Sequence, residues 1–100
     1  MKVHMQSIQF VAGEHLKAFT QKKVEKLEQF FDKIIQAEVF FSLDKKNRTI
    51  KDKVVTIKLK VPGNQIVATE VSKTFEEATD SASRSLQRQL KKYKAKLRSQ

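Results

Sequence analysis

The chain has no cysteine, only two histidines, one proline and two glycines among 100 residues. Without cysteine there are no disulfide scaffolds, no thiol catalysis and no cysteine-built zinc or iron–sulfur sites. His4 and His15 are too few for most histidine-built metal centres, and neither metal nor cofactor is expected. No apolar run approaches the roughly 20 residues that a membrane-spanning helix needs. Residues 1–6 lack the short uninterrupted apolar segment of a secretory signal. Nothing requires an oxidising compartment, so a cytoplasmic location is expected. No linker, internal repeat or low-complexity block divides the sequence. Residues 1–100 are therefore expected to form a single domain, burying roughly two-thirds of the unfolded surface around one core.

Negative charge is missing from one region. Lys and Arg total 21 against 11 Asp and Glu, a net +10. Residues 81–100 hold Arg84, Arg88, Lys91, Lys92, Lys94, Lys96 and Arg98 and no acid at all. Residues 1–80 carry the other 14 cations and all 11 anions, a balance of only +3. Such an excess in one segment calls for a polyanionic partner: nucleic acid, an acidic membrane surface or an acidic protein.

The apolar residues are spaced for a β-α-β-β-β-α order. Residues 3–8 read as a strand with Val3 and Met5 on one side, His4 and Gln6 on the other. Leu16, Phe19, Thr20, Val24, Leu27, Phe30 and Phe31 recur at helical spacing and predict a helix over 14–31, with Gly13 at its N-cap and Glu14 in its first turn. Period two then returns: Ala37, Val39, Phe41 and Leu43 against Glu38, Phe40 and Ser42. Residues 44–49 read as a mobile polar loop. Val55, Ile57, Leu59 and Val61 form a third strand, Pro62-Gly63-Asn64 a turn, and Gln65 to Val71 the return strand of a hairpin. Helical spacing resumes from Phe75 to Leu97, preceded by Thr74 and led by Glu76 and Glu77. The expected fold is α+β, a two-layer sandwich with two helices on one face of a four-stranded sheet, burying the seven phenylalanines except Phe40.

Helical geometry, at about 100° per residue, gives the charges directions. Arg84, Arg88 and Lys91 point away from the apolar stripe of the second helix, and Lys92 and Lys96 continue the four-residue ladder from Arg84 and Arg88. Like charges at this spacing cost a few tenths of a kcal/mol per pair, so helix stability alone does not account for them. On the first helix Lys22, Lys26 and Lys33 share one flank, with Lys23 toward the core edge. Glu25, Glu28 and Asp32 take the other flank. Side by side, the two helices would present a cationic groove able to neutralise successive phosphates. Recognition of backbone and shape is expected more than recognition of sequence.

Each of these features also has a plainer reading. A lysine-rich surface helix commonly serves solubility. Phe40 on the open sheet face is treated as an ordinary exposed aromatic, and Lys58 and Lys60 as cations that discourage sheet pairing. His4 and His15 lack a third group and a demonstrated proximity, so acid–base catalysis is not expected. Tyr93 is assigned to the core.

Two segments, Lys26-Leu27-Glu28-Gln29-Phe30-Phe31-Asp32-Lys33-Ile34 and Leu86-Gln87-Arg88-Gln89-Leu90-Lys91-Lys92, together with the Pro62-Gly63-Asn64 hairpin and the element order, resemble the ribosome hibernation factors. This family contains the short hibernation-promoting factor and the ribosome-associated inhibitor and is also called the sigma-factor modulation proteins. The resemblance covers about residues 1–98. It implies a fold like a double-stranded-RNA-binding domain. It also implies binding to ribosomal RNA of the small ribosomal subunit, in the channel used by messenger and transfer RNA, which inhibits translation and preserves idle ribosomes in stationary phase or stress. Carried over by position, the RNA-binding residues are Lys26, Arg88, Lys92 and Lys96. Lys22, Lys23, Arg84 and Lys91 rest on the helix-face reasoning. The sequence departs from the family at Ser85, where a basic residue is common, and at Thr74, Phe75 and Glu76, where an aspartate and a tyrosine are usual.

Neither the long members' C-terminal domain nor the inhibitor branch's extended tail is expected, and the resemblance is to the short form, which favours ribosome dimers with a helper protein. The free protein is expected to be monomeric, with no small-molecule substrate and no membrane partner. The alternatives are a general double-stranded-RNA-binding module not dedicated to ribosomes, and a protein- or membrane-docking domain. The docking reading is disfavoured because the apolar side of residues 75–97 is committed to the core. An enzyme is the least supported, since no nucleophile–base pair, phosphate loop or metal cluster is recognisable.

Overall fold

The computed structural model describes residues 1–44 and 52–98. Its elements are β1 (Lys2–Ser7), α1 (Glu14–Glu25) continued by a 3₁₀ turn (Lys26–Gln29), β2 (Gln36–Asp44), β3 (Asp52–Val61), β4 (Asn64–Ser72) and α2 (Phe75–Arg98). The sheet order is β1-β2-β3-β4. β1 runs parallel to β2, and the other two pairings are antiparallel. The polar loop expected at 44–49 falls at 45–49 outside the described residues, while Asp44 closes β2.

Strand alternation sets which face is covered. Ala37, Val39 and Phe41 of β2, Val55, Ile57, Leu59 and Val61 of β3, and Ile66 and Ala68 of β4 are all buried. They share one core with Leu16, Val24 and Leu27 from the first helical segment and Ala78, Ala82, Leu86 and Leu90 from α2. Both helices therefore cover the same side of the sheet, a two-layer α+β arrangement. Register joins the inward residues in rows: Met5 to Val39 to Ile57 to Ala68. A one-residue slip would turn every such row to solvent.

The hairpin turn is tighter than the three-residue signal implied, because Val61 pairs directly with Asn64. Gly63 takes φ +76°, in the left-handed region that glycine enters readily because it has no Cβ. At the start of α2, Thr74 Oγ1 accepts the Glu77 backbone N–H at 3.1 Å, a capping interaction that satisfies one free amide of the first turn. Ser72 Oγ donates to the Glu77 carboxylate at 3.4 Å.

Four expectations need correction. The helix expected over 14–31 stops being α-helical after Glu25 and tightens into the 3₁₀ turn, a common way for terminal carbonyls to be used up. There the Phe30 and Phe31 amides both reach Leu27 O. Lys33 consequently lies beyond the helix, and its expected place on the α1 flank does not apply. The phenylalanines are less buried than expected: Phe31 and Phe41 are buried, whereas Phe10, Phe19, Phe30 and Phe75 are only half-buried, as is the excepted Phe40. A layer this small places large rings at the rim, where they meet each other: Phe10 stacks on Phe75 at 4.9 Å, and Phe75 meets Phe41 edge-on at 5.5 Å. Finally, Leu97 points along the core stripe yet is 45% exposed. Tyr93 Oη donates to Pro62 O at 3.2 Å, which puts residue 93 over the β3–β4 turn. The last five residues of α2 thus run past the end of the sheet.

Candidate nucleic-acid interface

Two contacts fix the relation of the helices. Lys23 Nζ lies 2.9 Å from Asp80 Oδ1. Farther along, Lys91 Nζ sits 5.3 Å from the centroid of the Phe30 ring. Both partners advance toward their C-termini, so α1 and α2 are parallel neighbours. Lys26, between 23 and 30, falls alongside the stretch of α2 that carries Arg84 and Arg88. Lys22 and Lys26 are exposed on the α1 side, and Arg84, Arg88 and Lys91 are exposed on the α2 side.

Asp80 is the anion that holds this junction. It accepts from Lys23, and its other oxygen lies 3.4 Å from Arg84 Nη2. The Lys23 hydrogen bond holds the Asp80 carboxyl below its ordinary value, aided by the charges of Lys23 and Arg84 and opposed by partial burial. Lys23 is thereby committed at the base of the groove and lies beside the Phe19 ring, 5.6 Å from its centroid. Lys22, Lys26 and Arg88 rise on either side.

The four-residue ladder on α2 is not one wall. Each step of four turns about 40° around the helix, so from Arg84 to Lys96 the direction rotates by about 120°. Arg84 leans toward α1, Arg88 points outward, and Lys92 and Lys96 lean to the flank over β4. Gln89, on that same flank, donates to Val67 O of β4 at 3.1 Å. The α1-facing flank is completed instead by Lys94 and Arg98, which follow Lys91 at three- and seven-residue spacing. With Gln29, Phe30, Lys91 and Ala95 they line a cleft of about 300 Å³ between the end of the 3₁₀ turn and the last turns of α2.

Sequence reasoning therefore overlooked Asp80, Gln29 and Phe30, and it counted Lys94 and Arg98 in the cationic segment without placing them in the site. The spacing of Asp80 and Arg84, i and i+4, was a usable signal. Phe30 offered none, because its number matches the core stripe.

The remaining candidates lie elsewhere. The acidic flank of α1 turns toward the N-terminus, where Glu28 lies 3.8 Å from the Met1 amino group. Phe40 is on the open sheet face, with Lys58 Nζ 5.3 Å from its centroid. His4 is exposed on the open side of β1, and His15 is exposed in the first turn of α1, in the other layer. Among the described residues no three His, Asp or Glu side chains are grouped to hold a metal ion. Nor is any described helix long and apolar enough to cross a membrane.

Known proteins resemble this chain in sequence and fold. Two curated Pseudomonas putida sequences named ribosome hibernation promoting factor are each 28% identical over 95 aligned residues, covering 89% of this chain and 88% of theirs. A ribosomal subunit interface protein from Coxiella burnetii superposes with a TM-score of 0.84 at 27% identity, covering 95% of this chain and 99% of that one. The N-terminal domain of Protein Y from Thermus thermophilus superposes at 0.79 with 21% identity over 93% and 99%, a likeness of fold. Residues 3–98 match the model of the sigma 54 modulation protein / S30EA ribosomal protein family, and the chain belongs to that family.

Proposed function

We propose that the protein is a non-enzymatic ribosome hibernation factor that binds ribosomal RNA of the small subunit in the channel for messenger and transfer RNA. Occupying that channel inhibits translation and preserves idle ribosomes. The observation that carries this reading is the shared outer strip of two parallel helices. Lys22, Lys26, Arg84, Arg88 and Lys91 are exposed along it, while Glu25 and Glu28 face away. Spaced cations of this kind neutralise successive phosphates and release their counterions. The hibernation and subunit-interface names of the relatives support a ribosomal destination over an arbitrary RNA duplex.

A sucrose gradient of starved cells tests it. The protein should travel with small subunits, and Arg88→Glu with Lys26→Glu should leave it at the top while its melting temperature stays within a few degrees of wild type. Undiminished cosedimentation of the double variant would exclude the basic surface as the binding site. Equal competition by free duplex RNA would identify a general double-stranded-RNA module.

A further inference from the structure

In the cleft at the C-terminal end of the helix pair, an aromatic ring forms part of a wall that also carries three cations. Phe30 is half-buried, with its body packed against the core and the rest open to the cleft. Lys91 covers the ring by a cation–π contact at 5.3 Å. Lys94 and Arg98 stand one and two turns beyond Lys91, and all three cations are exposed. Gln29, beside the ring, offers both a donor and an acceptor.

From this combination we infer that the cleft is a subsite for a single nucleoside phosphate, with its base stacked on Phe30 and its phosphate held by Lys91, Lys94 and Arg98. Its volume of about 300 Å³ lies at the lower end of the range for small-ligand clefts. Stacking of a base on an aromatic side chain is generally stronger than an exposed cation–π contact. The Lys91 ammonium would therefore leave the ring for the phosphate, exchanging a weak contact for a charge-assisted one. Arg98 contributes a planar fork suited to two phosphate oxygens. The Gln29 amide meets the edge of the base. Electrostatics alone would make this region another phosphate contact; the ring adds a requirement for an unstacked base, which a continuous duplex does not supply.

The inference rests on the reading of the two-helix surface as one that meets RNA. The nucleotide has two possible sources, an extruded residue of a folded RNA or a free mononucleotide, and both present the same chemistry. Cations near the end of a helix also suit its dipole, so the test must separate base recognition from charge.

The full chain, labelled with ¹⁵N, is titrated with 5′-AMP, with ribose 5-phosphate, and with two RNA hairpins that differ by one bulged adenosine. The expected result is that AMP shifts the amides of residues 29–30 and 91–98 and binds at least about fivefold tighter than ribose 5-phosphate. Phe30→Leu, which keeps an apolar side chain against the core, should abolish that difference. Lys94→Gln with Arg98→Gln should weaken both ligands without unfolding. A bulged hairpin preferred over the paired one identifies RNA as the source, and AMP binding without that preference identifies a free nucleotide.

Equal affinity for AMP and ribose 5-phosphate, or an F30L protein that still distinguishes them, overturns the inference. Cosedimentation with ribosomes is measured on the same proteins. Its loss in wild type with AMP binding intact overturns only the ribosomal reading, whereas normal cosedimentation without base preference overturns only the nucleotide subsite.

Discussion

Lys23 and Asp80, 57 residues apart in the chain, meet at 2.9 Å and lock α1 to α2 with their cationic flanks side by side. The contact gathers a groove from two helices that each carry charge on several sides. Asp80 also engages Arg84, so one carboxylate keeps two cations near each other that would otherwise repel.

Replacing Asp80 with Asn should lower stability modestly and in a pH-dependent way. The two side chains remain 31% and 37% exposed, so water screens the pair and its contribution is about 0.5–1 kcal/mol. For a domain of this size that is a fall in melting temperature of about 2–8 °C near neutral pH. The folded carboxyl titrates below the ordinary 3.8. Its contribution is thus complete above the unfolded value and disappears as pH falls through the folded one. Melts at pH 6 should separate D80N from wild type, and the gap should narrow as the pH falls below the ordinary carboxylate value; a gap unchanged by pH would mean that the role of Asp80 is not ionic.

Arg88 is an exposed cation of the strip, and its worth can be read from salt. Arg88→Gln should reduce the slope of log affinity against log salt concentration by about 0.7–0.9 if it neutralises one phosphate. Filter binding to isolated small subunits over a range of KCl concentrations measures this. An identical slope in both proteins would place Arg88 away from the RNA backbone.

Thr79 is fully buried in α2, and its hydroxyl has no hydrogen-bond partner among the described residues. A buried polar group without a partner costs about 1–3 kcal/mol. Thr79→Val keeps the branched shape and has similar helix propensity. It should raise stability by about 1 kcal/mol, seen as a higher urea midpoint at constant m-value. A lower midpoint would mean that the hydroxyl is satisfied in solution.

Gly63 isolates a backbone effect. A Cβ there would meet nothing within 4 Å, so Gly63→Ala creates no clash. The φ of +76° nevertheless disfavours any L side chain, at a cost of about 1–2 kcal/mol. Thermal melts should show the loss, and cosedimentation with ribosomes at a temperature well below the transition should be retained.

Periodicity made most of the fold readable in advance. Alternation in β2 and β3 identified the inward rows Ala37-Val39-Phe41 and Val55-Ile57-Leu59-Val61, because residues two apart must share a face whatever the sheet does later. The Leu16-Thr20-Val24-Leu27-Phe31 stripe likewise described the buried side of the first helical segment, but not where α-helix gives way to the 3₁₀ turn. Hydrogen-bond choice at a helix end depends on how Leu27 and Phe31 settle into the core, not on their spacing. Leu97 fits the stripe of α2 and is exposed because the sheet beneath it has already ended, a fact of the strands and the β3–β4 turn.

Composition and spacing by themselves determined that the chain would be a small α+β domain whose last helix is cationic and free of anions from residue 81 onward, since net charge and period are properties of the residues alone. Tertiary structure decided which of those cations work together. A helix displays its charges around a full circle, and only a neighbour removes part of that circle from solvent. Packing α1 against one side of α2 assigned Arg84, Lys91, Lys94 and Arg98 to the shared flank, sent Lys92 and Lys96 toward β4, and brought Asp80 and Phe30 into the cationic surface.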